Sequence, residues 1–377
     1  MSHASAHTQT PSEMTPIKGF ESLGEKFNVT AIVALVLGLG FLLIGGIGSP
    51  EHLWGNVLLS GYNLTCIGLG GLFFIAVQAL TSARWHDPLL AAPHAMPRAL
   101  PMGALLMLLL YFGAEVVYPW ARPEVIHHDS VIAGREVWLN KPFFWIRILV
   151  IYGLWIGFGQ VLLRKHRFAA PFMAVFAFSF ALANFDWIMS VEPLWYSTIF
   201  AIYGFSGMFL QAIAVMILSA IALHRFGLLP GVEKSRNHDL GKLLFAFSAF
   251  WAYIWLSQFL LIWYANIPEE TAPFRMIMAN GWGPLYFLNV VLNFVLPFFI
   301  LMRRESKTHE PSLLWACGLV LVGHWLDLYL MIFPALTKSA PPTIGLAEVG
   351  GALITLGLAH FAIWGRMTQK APTVPSH

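Results

Sequence analysis

The stretch Pro171-Phe172-Met173-Ala174-Val175-Phe176-Ala177-Phe178-Ser179-Phe180-Ala181-Leu182-Ala183-Asn184-Phe185-Asp186-Trp187-Ile188-Met189-Ser190 reads as a helix that crosses a membrane and carries a carboxylate near one end. A span needs about 20 predominantly apolar residues, and this run is continuous rather than alternating. The strands of a membrane barrel would be segments of about 10 residues with alternating polarity. Asp186 is expensive in such a run, since a charge at helix depth costs about 2.5 to 3.5 kcal/mol on insertion scales. Two readings account for it: a hydrogen-bonded structural role near the interface, or a functional role within the membrane.

Nine more runs of this kind flank it, giving ten candidate spans at 27–47, 57–80, 100–118, 142–163, 171–190, 198–223, 243–265, 282–302, 313–333 and 344–364. With 58% hydrophobic and 11% charged residues in 377 positions, composition alone excludes an ordinary soluble domain. The fold class is an all-α integral membrane protein with ten transmembrane helices spanning 27–367. Residues 1–26, polar and interrupted by Pro11 and Pro16, read as a disordered tail, and 368–377 as a second one. The first run has no short apolar core followed by a small-residue cleavage site, so it reads as an uncleaved helix.

Lys and Arg in short connections stay on the cytoplasmic side, and an even number of spans puts both termini together. That side collects sixteen cations: Lys18, Lys26, Arg84, Arg98, Arg164, Lys165, Arg167, Arg225, Lys234, Arg236, Lys242, Arg303, Arg304, Lys307, Arg366 and Lys370. The opposite loops hold only Arg122, Arg135, Lys141, Arg275 and Lys338, with Arg147 inside the fourth span. Cytoplasmic termini follow. The net charge of +3 is spread over these loops, which points to topology and anionic lipid contact and not to nucleic acid.

Metal and redox chemistry find few ligands. Cys66 and Cys317 lie in separate spans, which argues against iron–sulfur ligation and disulfides. A b-type haem wants paired helical histidines, and His324 and His360 sit at different depths, with His224 at a helix end. His127, His128 and Asp129 in the longest outer loop, 121–140, read as a solvated face, and His3 and His7 are too sparse for a metal tract. Asn63-Leu64-Thr65 matches a glycosylation acceptor but lies inside a span, so it is set aside.

Most acidic groups inside the spans crowd the outer half, so that Glu115, Asp186, Asp327 and Glu348 stand there with Arg147, and His324 lies mid-span one turn before Asp327. His324 and Asp327, three apart, share a helix face, and a histidine beside a carboxylate suits a proton relay. The alternative is a buried histidine hydrogen-bonded to its neighbour or to another helix. Gln78, Gln160, Gln211, Gln258, Asn289 and Asn293 read as interhelical glue, about 0.6 kcal/mol apiece. Gly153 and Gly157, with GxxxG spacing, and Gly68, Gly70 and Gly71 read as close-packing positions. Pro297 frees a carbonyl within the eighth span, which must find another partner.

An internal echo links the fifth and ninth spans. Phe185-Asp186-Trp187-Ile188-Met189 and Leu326-Asp327-Leu328-Tyr329-Leu330-Met331 both put an Asp near the exit of an outward-running helix. A spacing of four helices suits two parallel four-helix bundles, 57–190 and 198–335, flanked by helices 27–47 and 344–364.

These residues also carry a family resemblance. His238-Asp239-Leu240-Gly241-Lys242-Leu243-Leu244-Phe245-Ala246-Phe247, Phe250-Trp251-Ala252-Tyr253, Gln258 and Trp263-Tyr264-Ala265-Asn266-Ile267-Pro268-Glu269-Glu270 resemble the F subunits of alternative complex III, within the wider NrfD and polysulfide-reductase membrane-subunit family. Asn184-Phe185-Asp186-Trp187-Ile188-Met189-Ser190, Trp195-Tyr196-Ser197-Thr198 and Trp325-Leu326-Asp327-Leu328-Tyr329 fit the same group. The resemblance covers nearly the whole chain. It implies two four-helix bundles plus two flanking helices, in a bacterial cytoplasmic membrane complex that oxidises quinol and reduces cytochrome c or a related acceptor. The implied partners are a paralogous ten-helix subunit, a peripheral iron–sulfur subunit and cytochrome c subunits, with a terminal oxidase in some assemblies. No cofactor motif or covalent attachment site occurs in this chain, and the resemblance places quinol or menaquinol in the paralogue. The part left for this subunit is proton conduction through Asp186, His324, Asp327 and Glu348, with Glu115 and Arg147 as partners. A structural scaffold and an independent secondary transporter are the alternatives.

Overall fold

The computed structural model describes residues 20–83, 90–226, 234–338 and 340–367. The tails expected at 1–26 and 368–377, with His3 and His7, fall outside these residues except for 20–26, which are helical; the side chains of His127 and His128 also fall outside. Ten helices are long and apolar enough to cross a membrane: α1 (Phe20–Gly46), α2 (Pro50–Leu80), α3 (Ala91–Val117), α4 (Lys141–Arg164), α5 (His166–Val191), α6 (Phe200–Arg225), α7 (Lys234–Ala265), α8 (Gly283–Leu301), α9 (Glu310–Leu336) and α10 (Leu346–Met367). No strand occurs among the described residues. Most helices start earlier than hydropathy alone suggests, because polar first turns such as Pro50-Glu51-His52 continue the helix beyond its apolar core.

Two helices organise the rest. The apolar windows of α2 and α6 are 83% and 89% buried, against 17% for α1, so α2 and α6 are the central elements. Helix α2 packs on α3, α4 and α5; α6 packs on α7 and α9; and α2 meets α6 and α9 between the two groups. Helix α1 lies on α10, which in turn leans on α2.

Glycine lets these helices approach. A methyl group at Gly70 of α2 would lie 2.2 Å from Ala212 Cβ of α6, and one at Gly68 would lie 2.6 Å from Leu100 Cγ of α3. Helices α1 and α10 approach just as closely, since a methyl at Gly45 would sit 2.3 Å from Ala347 N and one at Gly350 2.4 Å from Leu42 N. The GxxxG pair does not act this way: Gly153 and Gly157 have nothing within 4 Å of an added methyl. The motif marks an open face of α4 and packs against no other helix among the described residues.

Two helices widen into π turns, α5 at Asn184–Ile188 and α8 at Val291–Val295. Such turns recur at functional sites. Pro297 cannot donate to the carbonyl of Asn293, four residues back, and the Ser248 hydroxyl of α7 donates to that oxygen instead. The freed carbonyl thus has the side-chain partner the sequence demands.

Between α7 and α8 lies a short helix, Pro268–Ala279, where hydropathy suggests only an outer loop. Proline at its first position and Glu269 and Glu270 in its first turn suit a helix start. Its flanking residues Asn266 (φ +49°) and Gly281 (φ +81°) both turn the chain through the left-handed region.

Candidate functional site

The π turn in α5 aims Asp186 at the start of α4. Arg147 Nε donates to Asp186 Oδ2 at 2.6 Å, and Trp138 Nε1 donates to Oδ1 at 2.8 Å. The second contribution of Trp138 is its carbonyl, which accepts from Arg147 Nη1 at 2.9 Å. The guanidinium carbon also lies 4.3 Å from the Trp138 ring centroid and 4.4 Å from that of Phe143. The end of α5 is anchored by Tyr118, which donates to the Trp187 carbonyl at 2.9 Å, and by Ser190, which donates to the Asp186 carbonyl. Asp186 is therefore half of a buried ion pair.

Asp327, its counterpart in α9, is held differently. It is 1% exposed and accepts from Tyr203 of α6, from Asn289 Nδ2 of α8 at 2.6 Å and from Trp251 Nε1 of α7 at 3.1 Å. All three donors are neutral, and no cation pairs with it among the described residues. Asp327 also lines a cavity of about 850 Å³, counted out to its open side, walled by Trp195, Phe200, Trp255, Phe274 and Tyr286. Trp195 and Trp255 keep their buried indole N–H groups without a hydrogen-bond partner. The short helix contributes Phe274 and Ile277 to this wall, and Glu192, past the end of α5, completes it. Burial pushes the Glu192 carboxyl above its usual range, opposed in part by the Leu194 backbone N–H.

His324 lies one turn from Asp327 on the same face, as their spacing predicts. A methyl at Gly207 of α6 would sit 2.8 Å from His324 Cε1 and 3.6 Å from Asp327 Oδ2. The two side chains share the notch at Gly207 but make no hydrogen bond to each other, and neither ring nitrogen of His324 has a partner. The expected relay pair is adjacent without being joined, because both side chains point at α6. One turn earlier, Gly204 admits the Tyr62 hydroxyl, which donates to Asn184 Oδ1 at 2.6 Å.

Glu348 opens α10 against the start of α2. Its Oε1 is 2.6 Å from His52 Nδ1 and accepts from Asn56 Nδ2 at 3.1 Å, while Oε2 accepts from the Gly345 N–H at 2.8 Å. Glu115 pairs with Lys141 on the surface and has no contact with Glu348, Asp327 or Asp186 among the hydrogen bonds and ion pairs of the described residues. The six residues singled out by depth thus occupy separate places: Asp186 with Arg147, Asp327 beside His324, Glu348, and Glu115. No hydrogen bond among the described residues links one place to another, so shared depth does not mean a shared path.

Several partners are invisible in the sequence. His52, Tyr203 and Trp251 come from other helices and Trp138 from the turn before α4, and none carries a local signal for its partner. Asn289 bonds across helices as its position inside a span suggests, from α8 to the Asp327 carboxylate of α9. Gln211 does the same, its Nε2 donating to Asn63 Oδ1 at 2.6 Å between α6 and α2. A scan against models of known protein families finds no match for this chain, and a search of curated proteins finds none either.

Proposed function

We propose that this chain is a membrane subunit of a quinol-oxidising complex of the alternative complex III type, and that Asp327 takes up and releases protons through the cavity it lines. The observation that carries this reading is the neutral cage around a buried carboxylate at a cavity wall. Its charge can change without breaking an ion pair, unlike that of Asp186. Trp and Asn side chains offer only N–H groups here, whereas a Tyr hydroxyl can donate to a carboxylate or accept from a carboxylic acid. When a proton arrives on Oδ1, Tyr203 can reverse from donor to acceptor, with its own O–H turning toward the cavity that Tyr203 also lines.

In this reading the chain sits in a bacterial cytoplasmic membrane with both termini and the sixteen cations inside. The cavity then opens on the outer side, where oxidation of a quinol releases protons. The paralogous ten-helix subunit would hold quinol or menaquinol, and the iron–sulfur and cytochrome c subunits would carry the electrons. The resemblance supports those partners, and the residues here supply no electron carrier.

The test is quinol to cytochrome c turnover with proton release in the intact complex carrying Asp327→Asn. Loss of a proton-transfer group costs about a hundredfold or more in rate, and that loss is the expected result. Wild-type turnover and proton yield in an assembled complex would sink the reading. A scaffold role would then lead, which the closed Arg147–Asp186 pair favours.

A further inference from the structure

A groove runs between α2, α3 and α4 at the end of the molecule that gathers the cations. Leu72, Leu100, Pro101 and Ile156 give it apolar walls, Arg98 and Gln160 stand along it, and it holds about 590 Å³ counted out to its open side. Gln160 and Arg164 are four apart on α4 and so share a face, which puts Arg164 one turn beyond the groove. The His94 and His166 rings are 6.5 Å apart, which brings the start of α5 beside the start of α3. Arg164, Lys165 and Arg167 therefore gather at the same end. All three are exposed, and none forms an ion pair among the described residues.

We propose that this groove binds an anionic phospholipid, with the acyl chains against Pro101 and Ile156 on its accessible side and the headgroup phosphate at Arg164, at the end where Arg98 also stands. The charge distribution selects this occupant. Among the described residues beside the groove, the cations Arg98 and Arg164 stand toward one end with apolar walls beneath them, and basic pockets between transmembrane helices on the cytoplasmic side hold such headgroups. Guanidinium groups suit phosphate because their planar fork meets its oxygens with two parallel hydrogen bonds. The Gln160 amide lies between phosphate and chain, where it can donate to an ester carbonyl. The site is remote from Asp327 and stands whether or not this chain conducts protons.

The experiment is native mass spectrometry of the delipidated protein, in its complex where one assembles, titrated with phosphatidylglycerol and, as a zwitterionic control, phosphatidylcholine. Arg164→Gln removes a cation, and Gln160→Trp fills the groove without changing charge. Both positions are exposed, so both variants should keep the wild-type melting temperature. Retention of phosphatidylglycerol over phosphatidylcholine is expected, about fivefold weaker in Arg164→Gln and lost in Gln160→Trp. Equal retention of the two lipids, or phosphatidylglycerol binding unchanged in both variants, would overturn the proposal. So would a protein neighbour that covers the groove and leaves no lipid bound.

Discussion

Arg147 Nε lies 2.6 Å from Asp186 Oδ2 with both side chains buried, and Trp138 closes over the pair, giving its N–H to the carboxylate and its carbonyl to the guanidinium. Removing one member of a buried pair strands the other charge and costs about 3–5 kcal/mol, whereas replacing both with apolar groups of similar size is often neutral. Asp186→Asn and Arg147→Met should each lower the thermal stability of the detergent-solubilised protein sharply. The double variant Asp186→Leu with Arg147→Met should recover most of the loss. A double variant as unstable as either single one would show that the pair does more than compensate charge.

Tyr203 is the one partner of Asp327 that can exchange donor for acceptor. Tyr203→Phe should cost about 1–2 kcal/mol of stability and slow proton exchange at Asp327. Trp251→Phe also removes a hydrogen bond, but from a group that can only donate, so it should weaken the cage without abolishing exchange. Difference infrared spectroscopy of the carboxyl stretch of Asp327, in H₂O and D₂O, separates the two. Identical exchange in both variants would remove the special role of Tyr203.

Glu192 gives a pH dependence of known sign. Its carboxyl is raised in the folded protein because burial penalises the charged form, so the folded state holds this proton more tightly than the unfolded state. Its contribution is fully present below the unfolded carboxyl range and declines as pH rises toward the raised value. Melting temperature measured from about pH 4 upward should therefore include a downward component that Glu192→Gln abolishes. An unchanged profile in the variant would place the pH dependence elsewhere.

The helices and the need for a partner at Asp186 are legible in the sequence, because apolar length and a misplaced charge are local properties. What Asp186 meets is not. Arg147 is visible as an intramembrane cation, but only tertiary packing shows that it serves Asp186 while Glu115 turns to Lys141 at the surface. Asp186 and Asp327 look equivalent in their local sequences, and the difference between them lies in α4, α6, α7 and α8. His52 is hidden for a related reason: it stands in the polar first turn of α2, outside the apolar core that defines a span, and gains meaning only from Glu348 nearly a whole chain away.

The glycines of α2 and α4 make the same distinction testable. Gly70→Ala would force a methyl to within 2.2 Å of Ala212 Cβ, where α2 and α6 pack backbone to backbone, and overpacking of this kind costs about 1–3 kcal/mol. Gly153→Ala and Gly157→Ala meet open space, so they should be neutral or stabilise by up to about 1 kcal/mol, since alanine loses less conformational freedom in a helix than glycine. Unfolding of the three variants under one detergent condition ranks them directly. Should Gly153→Ala and Gly157→Ala prove as harmful as Gly70→Ala in the assembled complex but harmless in the isolated chain, the open face of α4 is where a neighbouring subunit packs.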